Sequence, residues 1–411
     1  MLLNLMAEKS QMSDDRSILN KLQLNLPWLV RYPSERAKSF LERTAFESKH
    51  IIFIVANHFE PGWGSQPLDL DAQRRRLDEY FRIARETGEA VVDADGTKFR
   101  HTHFYPAEQY HPKLLEMVAA MQAEGLGDVE IHLHHGVEKP DTAENLRKTL
   151  IDFRDRLAEE HRCLSRMDGA GSPAYAFVHG NLALGNSAGG KYCGVDNELQ
   201  ILAETGCYVD MTLPSAPDES QIPLINQIYE CALPLNEKIP HRRGKRVGTT
   251  GKNGNPPQLP LIFTGPLVFN WTRRIKGFPV PRIDDGALAA NQAMNSARFR
   301  RWVNANVTVK NRPDWVFVKL YCHGFFDYDR SACIGEDARR FFSEIVANGE
   351  KSGAYTVHFA TAREAFNMVL AAMDGAAGDP NDYRTYRLQA IMNETAARKT
   401  NEARSEIVLR R

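Results

Sequence analysis

Histidines that follow apolar runs are the first feature of this sequence that could do chemistry. The chain has 411 residues and 13 histidines. Eight of them lie at or near the ends of five strand-like segments: His58, His101, His103, His132, His134, His135, His179 and His323. Because the carboxyl ends of parallel strands meet at one pole of an α/β barrel, we expect these imidazoles to converge there. Converging imidazoles are typical of metal and acid–base sites.

The segment 57–64 combines a possible ligand pair with an aromatic face. His58 and Glu60 are two residues apart at the end of an apolar strand, so both side chains can reach one cation. Imidazole and carboxylate ligands without thiolate favour zinc over manganese, iron or cobalt. Trp63 follows and offers a flat surface on which a sugar ring can stack. The segment therefore predicts a divalent metal cofactor, zinc first, with one position open for water.

Two later strands alternate apolar and polar side chains. In 128–135 the apolar residues Val129, Ile131 and Leu133 share one face, and Glu130, His132 and His134 share the other. The strand 315–323 alternates in the same way and ends at His323. Buried imidazole is costly unless it is paired or bound to metal, so the inward polar rows predict a functional cavity.

Alternating strand and helix patterns indicate the elements that position these groups. Residues 51–55 form a continuous apolar run, typical of a strand that is buried on both faces. Strands and helices then alternate to about residue 373, which indicates an α/β fold with parallel strands. Seven to nine strands favour a complete or partial (β/α)7–8 barrel over an open doubly wound sheet. We predict an N-terminal helical extension (1–48), the barrel (49–375) and a charged C-terminal helical tail (376–411).

Composition excludes several classes of function. The 52 basic and 52 acidic residues cancel, which argues against nucleic acid or an anionic membrane as the main partner. No apolar stretch reaches about 18 residues, so no transmembrane segment is expected. The N-terminus lacks a signal-peptide core and the six cysteines show no C-x-x-C pair, so we expect a cytoplasmic protein without a thiolate zinc site. No G-x-G-x-x-G motif follows the first strand, which argues against a dinucleotide-dependent enzyme.

Three segments resemble motifs of the polysaccharide deacetylase and glycoside hydrolase–deacetylase barrel superfamily, and the resemblance extends over about residues 50–375. The run 130–138 resembles the second deacetylase motif, with His134 at the first metal histidine and Glu138 at the second ligand position. The run 318–324 resembles the last motif, whose strand-end histidine is His323 here. Glu60 stands for the metal-binding aspartate of the first motif, and no acidic neighbour stands for the catalytic base.

The resemblance implies a hydrolase that removes an N-acetyl or other acyl group from a polysaccharide or its sugar precursor, in exopolysaccharide biosynthesis. It implies a metal site of His58, Glu60, His134 and Glu138, with metal-activated water as nucleophile and with Glu60 and His323 as catalytic residues. The residues expected to face substrate are Trp63, His103, His132, His135, His179, Asn181 and Asn186.

Two other functions stay open at this point. The pattern His58-x-Glu60-x-Gly62-Trp63 also resembles the zinc motif of class II α-mannosidases, which would imply cleavage of a glycosidic bond. That reaction needs paired carboxylates, for which Glu60, Glu138, Asp210, Asp284 and Asp285 are the candidates. The third hypothesis is a catalytically inactive barrel that binds glycan as an accessory of polysaccharide synthesis. The sequence leaves the glycan, the general base and the oligomeric state open.

Overall fold

The computed structural model describes residues 18–42, 48–64, 66 and 68–393. Two helices, α1 (Ile18–Leu29) and α2 (Tyr32–Leu41), precede the sheet. Trp28 is buried against Ile225 and Leu267, so the described part of the predicted N-terminal extension packs on the main body of the protein. The remaining residues of that extension, 1–17 and 43–47, lie outside the described residues.

Strands and helices alternate along the rest of the chain. The strands are β1 (Lys49–His58), β2 (His101–Pro106), β3 (Gly127–Leu133), β4 (Ser165–Met167), β5 (Pro173–His179), β6 (Cys207–Asp210), β7 (Gln227–Cys231), β8 (Gly244–Arg246), β9 (Leu261–Thr264), β10 (Leu267–Asn270), β11 (Arg274–Ile275), β12 (Phe278–Pro279), β13 (Arg282–Asp285), β14 (Trp315–His323), β15 (Tyr355–Ala360) and β16 (Leu388–Ala390). The helices are α3 (Leu70–Ala90), α4 (Pro112–Ala123), α5 (Ala143–Asp155), α6 (Glu198–Thr205), α7 (Ser296–Ala305), α8 (Arg330–Cys333), α9 (Glu336–Ser352) and α10 (Ala362–Met373).

The main sheet is mostly parallel but open. Its strand order is β14-β1-β2-β3-β5-β6-β9-β7-β8, with β7 and β8 antiparallel at one end. The strand β15 also pairs in parallel with the first half of β1. The α/β class is therefore confirmed, whereas a closed barrel is not found: among the described residues the ladder ends at β14 and at β8 without joining.

The apolar run of β1 separates two cores. Ile51 and Phe53 pack into the cluster on the side of the outer helices, and Ile52 and Ile54 pack into a second cluster on the opposite face. All residues of α10 are buried, and this helix contacts β1, β5, β6 and β15. Because α10 fills that face, the strands bury their inner side chains without a closed ladder.

The end of the described chain differs from a helical tail. Residues 380–383 form a short 3₁₀ turn, and β16 pairs with β4 in antiparallel orientation. Asn367 of α10 donates hydrogen bonds from Nδ2 to the carbonyls of Arg384 and Leu388 (2.8 and 2.9 Å), which fixes this segment to the core. The predicted tail from residue 394 onward lies outside the described residues. None of the described helices is long and apolar enough to cross a membrane.

Candidate metal centre

Three donors from the ends of β1 and β3, which lie on either side of β2, meet at the carboxyl edge of the sheet. His58 is the last residue of β1, Glu60 follows two residues later, and His132 lies near the end of β3. Their ligand atoms all lie within 4.8 Å of one another, and all three side chains are buried. Parallel strands bring these groups together because their carboxyl ends share one edge.

His134 completes the group. Its Nε2 lies 3.4 Å from Oε1 of Glu60, and Nε2 of His132 lies 3.8 Å from the same oxygen. Four ligands around a tetrahedral zinc ion, at metal–ligand distances near 2.1 Å, are roughly 3.4 Å apart. The two imidazoles and the carboxylate therefore have the spacing of ligands that share one cation.

Hydrogen bonds on the outer side of the group orient His132 in β3 and His134 directly after it toward Glu60. His132 Nδ1 lies 2.9 Å from the carbonyl of Val178, and His134 Nδ1 lies 2.5 Å from Oε1 of Glu108. A carbonyl or carboxylate accepts the proton of Nδ1, so each ring presents the lone pair of Nε2 to the centre. Both Nε2 atoms and Nδ1 of His58 are buried without a hydrogen-bond partner, which is what ligand atoms of a metal require.

Gly180 makes room for the His134 ring. A Cβ atom at this position would lie 2.3 Å from Cδ2 of His134, which is far inside van der Waals contact. The residue directly after β5 therefore has to be glycine for the His134 ring to keep its place in the group.

The electrostatics of the group call for a positive charge. Burial raises the pKa of Glu60 to about 7, and nearby His134 only partly opposes this effect. Burial, together with neighbouring histidines, lowers the pKa values of His58 and His132. Burial also opposes the charged form of His134, but the adjacent Glu108 carboxylate outweighs it and raises the pKa of His134. A divalent cation would balance the buried Glu60 carboxylate and would bind the lone pairs of His58 and His132, the two rings that burial keeps neutral.

A cavity of about 440 Å³ opens beside this group. Its polar lining includes His58, Asn181, Lys319, Tyr321, His323 and Asp329. His323 lies opposite His58 in the β1–β14 register, with ring centroids 4.6 Å apart. Phe326 stacks on the His323 ring at 4.5 Å, and burial lowers the pKa of His323 to about 4. The cavity thus places His58 of the candidate ligand group and His323 on the same wall.

Two more of the predicted substrate-facing residues lie at or near this cavity. Asn181 lines it directly. Trp63 is half-buried and packs on Phe326, with ring centroids 4.7 Å apart, so it lies behind a ring that lines the cavity. An apolar wall of this kind suits the face of a sugar ring.

His103 lies away from the cavity. Its ring packs against Phe59 and Tyr80 on the side of the outer helices, and its Nε2 lies 3.3 Å from the carbonyl of Leu126. The strand alternation explains this position, because His103 shares a face with the core residue Tyr105. His103 is a hydrogen-bonded core histidine rather than a cavity residue.

Asn186 and Glu138 also lie apart from the group. Asn186 uses both ends of its amide within its own loop, donating to Asp196 (2.6 Å) and accepting from the backbone of Gly194 (3.1 Å). Glu138 is exposed in the turn after β3. His132, two residues before His134 on the same face, occupies the centre in its place.

His135 and His179 belong to a second buried group. Their donors lie within 4.8 Å of each other and of the donors of Cys193 and Glu198. His135 points away from the centre described above because it follows His134 directly and therefore faces the opposite side. His135 and His179, which were predicted to face substrate, thus lie against Cys193 and Glu198, two residues that sequence patterns did not single out.

Sequence reasoning missed two contributors to the centre. The family motif directed the ligand assignment to Glu138, although the two-residue spacing of His132 and His134 already placed both on one face. Glu108 lies in a 3₁₀ turn (Ala107–Gln109) after β2, and no spacing rule connects it to His134. Only the folded chain brings this carboxylate to the ring.

Comparison with known proteins found a distant structural similarity and no sequence match. Protein-family models gave no match, and curated proteins gave none either. Among solved structures, a crystal structure from Mycobacterium smegmatis described as a "putative polysaccharide deacetylase" is similar with a TM-score of 0.39 and 12% sequence identity. The match covers 80% of this chain and 93% of that chain. A likeness this weak does not assign the chain to a family.

Proposed function

We propose that the protein is a metal-dependent hydrolase that acts on carbohydrate and removes an N-acetyl or similar acyl group. The observation that supports this most is the group of His58, Glu60, His132 and His134 beside the cavity, with three buried ring nitrogens that lack hydrogen-bond partners. A bound divalent cation supplies a Lewis acid that polarises a carbonyl and lowers the pKa of water. The deacetylase motifs in the sequence favour acyl transfer among the reactions of this class.

The residues of the cavity have defined tasks in such a reaction. Burial lowers the pKa of His323 to about 4, so the ring is neutral near pH 7 and can take up the proton released by the attacking water and pass it to a departing amine. Phe326 stacks on this ring and fixes its plane. Asn181 offers an amide to sugar hydroxyls, and the face of Phe326, supported by Trp63, offers an apolar surface to the ring. The remaining task is the deprotonation of water. No aspartate adjacent to Glu60 is present to act as the base, so Glu60 itself, which lies 3.4 Å from Nε2 of His134 in the proposed metal group, is the candidate carboxylate.

Glycosidic cleavage receives less support because three of its five candidate carboxylates are engaged in other contacts. Asp210 accepts two hydrogen bonds from Thr212 (3.1 and 2.8 Å). Asp284 is paired with Arg298 (2.8 Å), and Asp285 accepts a hydrogen bond from Tyr321 (2.8 Å). Carboxylates held in this way cannot approach an anomeric carbon from two sides.

The test combines metal content with release of acetate. We expect the purified protein to bind a divalent ion at this centre and to release acetate from N-acetylated oligosaccharides. The variants His132→Ala and His134→Ala should lose both properties, whereas Glu116→Gln, which changes an exposed carboxylate on α4, should keep both. Glu138→Gln separates the two ligand assignments, because loss of metal in that variant would contradict the group seen in the structure. A protein that binds metal but hydrolyses no acetylated or glycosidic substrate would favour the glycan-binding alternative.

A further inference from the structure

A second buried group of metal-ligand type lies next to the proposed active site. It consists of His135, His179, Cys193 and Glu198, whose donor atoms all lie within 4.8 Å of one another. His135 follows β3, His179 ends β5, Cys193 lies in the loop between β5 and α6, and Glu198 is the first residue of α6. None of the four side chains is needed for the hydrolysis proposed above.

The distances within this group suit a tetrahedral ion. Nε2 of His135 lies 3.1 Å and Nε2 of His179 lies 3.8 Å from Oε1 of Glu198. Sγ of Cys193 lies 3.4 Å from Oε2 of the same carboxylate. Ligands of a four-coordinate zinc ion are roughly 3.3–3.8 Å apart, given metal–ligand distances of about 2.0–2.3 Å. Two imidazoles, one thiolate and one carboxylate are a donor set that zinc prefers.

Hydrogen bonds outside the group hold its members in place. Nδ1 of His135 lies 3.1 Å from Oδ2 of Asp141, which directs the Nε2 lone pair toward Glu198. The side chain of Asn145 in turn donates to Asp141 (2.7 Å). The backbone amide of Gly185 donates to Oε2 of Glu198 (2.6 Å), which leaves Oε1 facing both rings. An imidazole supported by a carboxylate is the usual outer arrangement of protein zinc sites.

Charge balance also fits a dication. A thiolate and a carboxylate carry two negative charges, and Cys193 and Glu198 are both fully buried. A zinc ion would neutralise them without any group exposed to solvent, and four protein ligands would leave no open position for water. The competing arrangement is a protonated His135 between Asp141 and Glu198, with Cys193 as a thiol. Both arrangements give the two ring nitrogens of His135 a partner. They differ at Cys193, which is a metal-bound thiolate in the first and a thiol in the second.

We propose that His135, His179, Cys193 and Glu198 bind a zinc ion in a closed, structural site that fixes the loop 180–197 to the ends of β3 and β5. This loop carries Asn181 and Leu182, which line the cavity, so the ion would set the position of one cavity wall. A metal bound at Nε2 of His179 requires the ring proton to lie on Nδ1. The backbone amide of Asn181, whose nitrogen lies 3.3 Å from Nδ1, would then no longer donate to that atom. The proposal goes beyond the hydrolase function and does not depend on it.

Cobalt substitution tests the proposal on the full chain. The purified protein is stripped with a chelator and reloaded with Co²⁺, and the near-ultraviolet charge-transfer absorption between thiolate and cobalt is recorded. Among the described residues, this is the only group of metal-ligand type that contains a cysteine. We expect the absorption in the wild-type protein and in Cys163→Ser, which removes a buried thiol outside the group. We expect its loss in Cys193→Ser.

Two further variants separate this site from the first one. His134→Ala should lose the ion of the hydrolase centre but keep the thiolate absorption, so failure of either proposal is seen independently. Glu198→Gln should shift or abolish the absorption while leaving the thiol in place. Absence of the thiolate absorption in the wild-type protein would overturn the second site, and this result does not depend on whether any variant folds. Persistence of the absorption in Cys193→Ser would overturn it as well.

Discussion

Replacing the cavity lysine with methionine should make the stability of the protein less dependent on pH. Lys319 on β14 is 2% exposed, and its Nζ donates to the backbone carbonyls of Met211 (2.7 Å) and Leu213. Burial lowers the pKa of Lys319 from 10.5 to about 7, although Asp210 and Asp285 partly oppose this effect. At about 1.4 kcal/mol per pH unit, keeping the ammonium form in the folded protein costs on the order of 5 kcal/mol.

The direction of the effect follows from proton binding in the two states. Between pH 7 and pH 10.5 the unfolded chain carries a proton on Lys319 that the folded protein lacks. The stability of the wild-type protein therefore rises with pH in this range, by about 1.4 kcal/mol per pH unit, and the full cost applies only below pH 7. Lys319→Met has no such proton, so its stability relative to the wild type should be highest at low pH and fall as pH rises.

Urea unfolding at a series of pH values measures this difference directly. The two proteins are compared from pH 7 to about pH 9.5. Contributions of other groups to the pH dependence cancel in the comparison, and the two carbonyls that lose their donor add an offset that does not depend on pH. Lys310→Met, which changes an exposed lysine, is the matched control and should run parallel to the wild type. A stability difference between Lys319→Met and the wild type that does not change with pH would refute the reasoning. It would mean that Lys319 stays protonated in the folded protein throughout this pH range.

Two other changes test contacts that hold the site and the fold. Glu108→Gln weakens the hydrogen bond to Nδ1 of His134 (2.5 Å) and should lower metal affinity about 10- to 100-fold, measured by competition with a chromogenic chelator; an unchanged affinity would contradict the orienting role. Asp284→Asn breaks a buried ion pair with Arg298 (2.8 Å) and should lower the free energy of unfolding by about 3–5 kcal/mol in urea. Asp152→Asn breaks an exposed pair and should cost less than about 1 kcal/mol, so equal losses would count against the burial argument.

Much of the architecture could be predicted from local patterns in the sequence. The apolar run at 51–55 indicated a strand buried on both faces, and β1 lies between two cores. The alternation of Val129, Ile131 and Leu133 with polar residues placed the apolar set on the side of the helices, where the structure has it. Such features depend on the period of a strand and on burial, which neighbouring residues determine.

Closure of the sheet could not be predicted in this way. Strand count favoured a complete or partial barrel, but the ladder of the described residues is open and α10 is buried against its inner face. Only long-range packing decides which element fills a core. His103 is a different case, because a local pattern was available. Its position near a strand end assigned it to the site, but the alternation within β2 places its ring on the face of the outer helices, where it packs against Tyr80.

The sequence by itself determined which chemistry is available: imidazoles and carboxylates at the ends of parallel strands, because the type of a side chain and its place at a strand end are local properties. The tertiary structure decided which of them meet. Adjacent His134 and His135 face opposite sides and join different groups, while Glu108 and Cys193 reach those groups from distant loops. The physical reason is that a ligand set is defined by distances between side chains, and distances across the chain are fixed only when the strands pack.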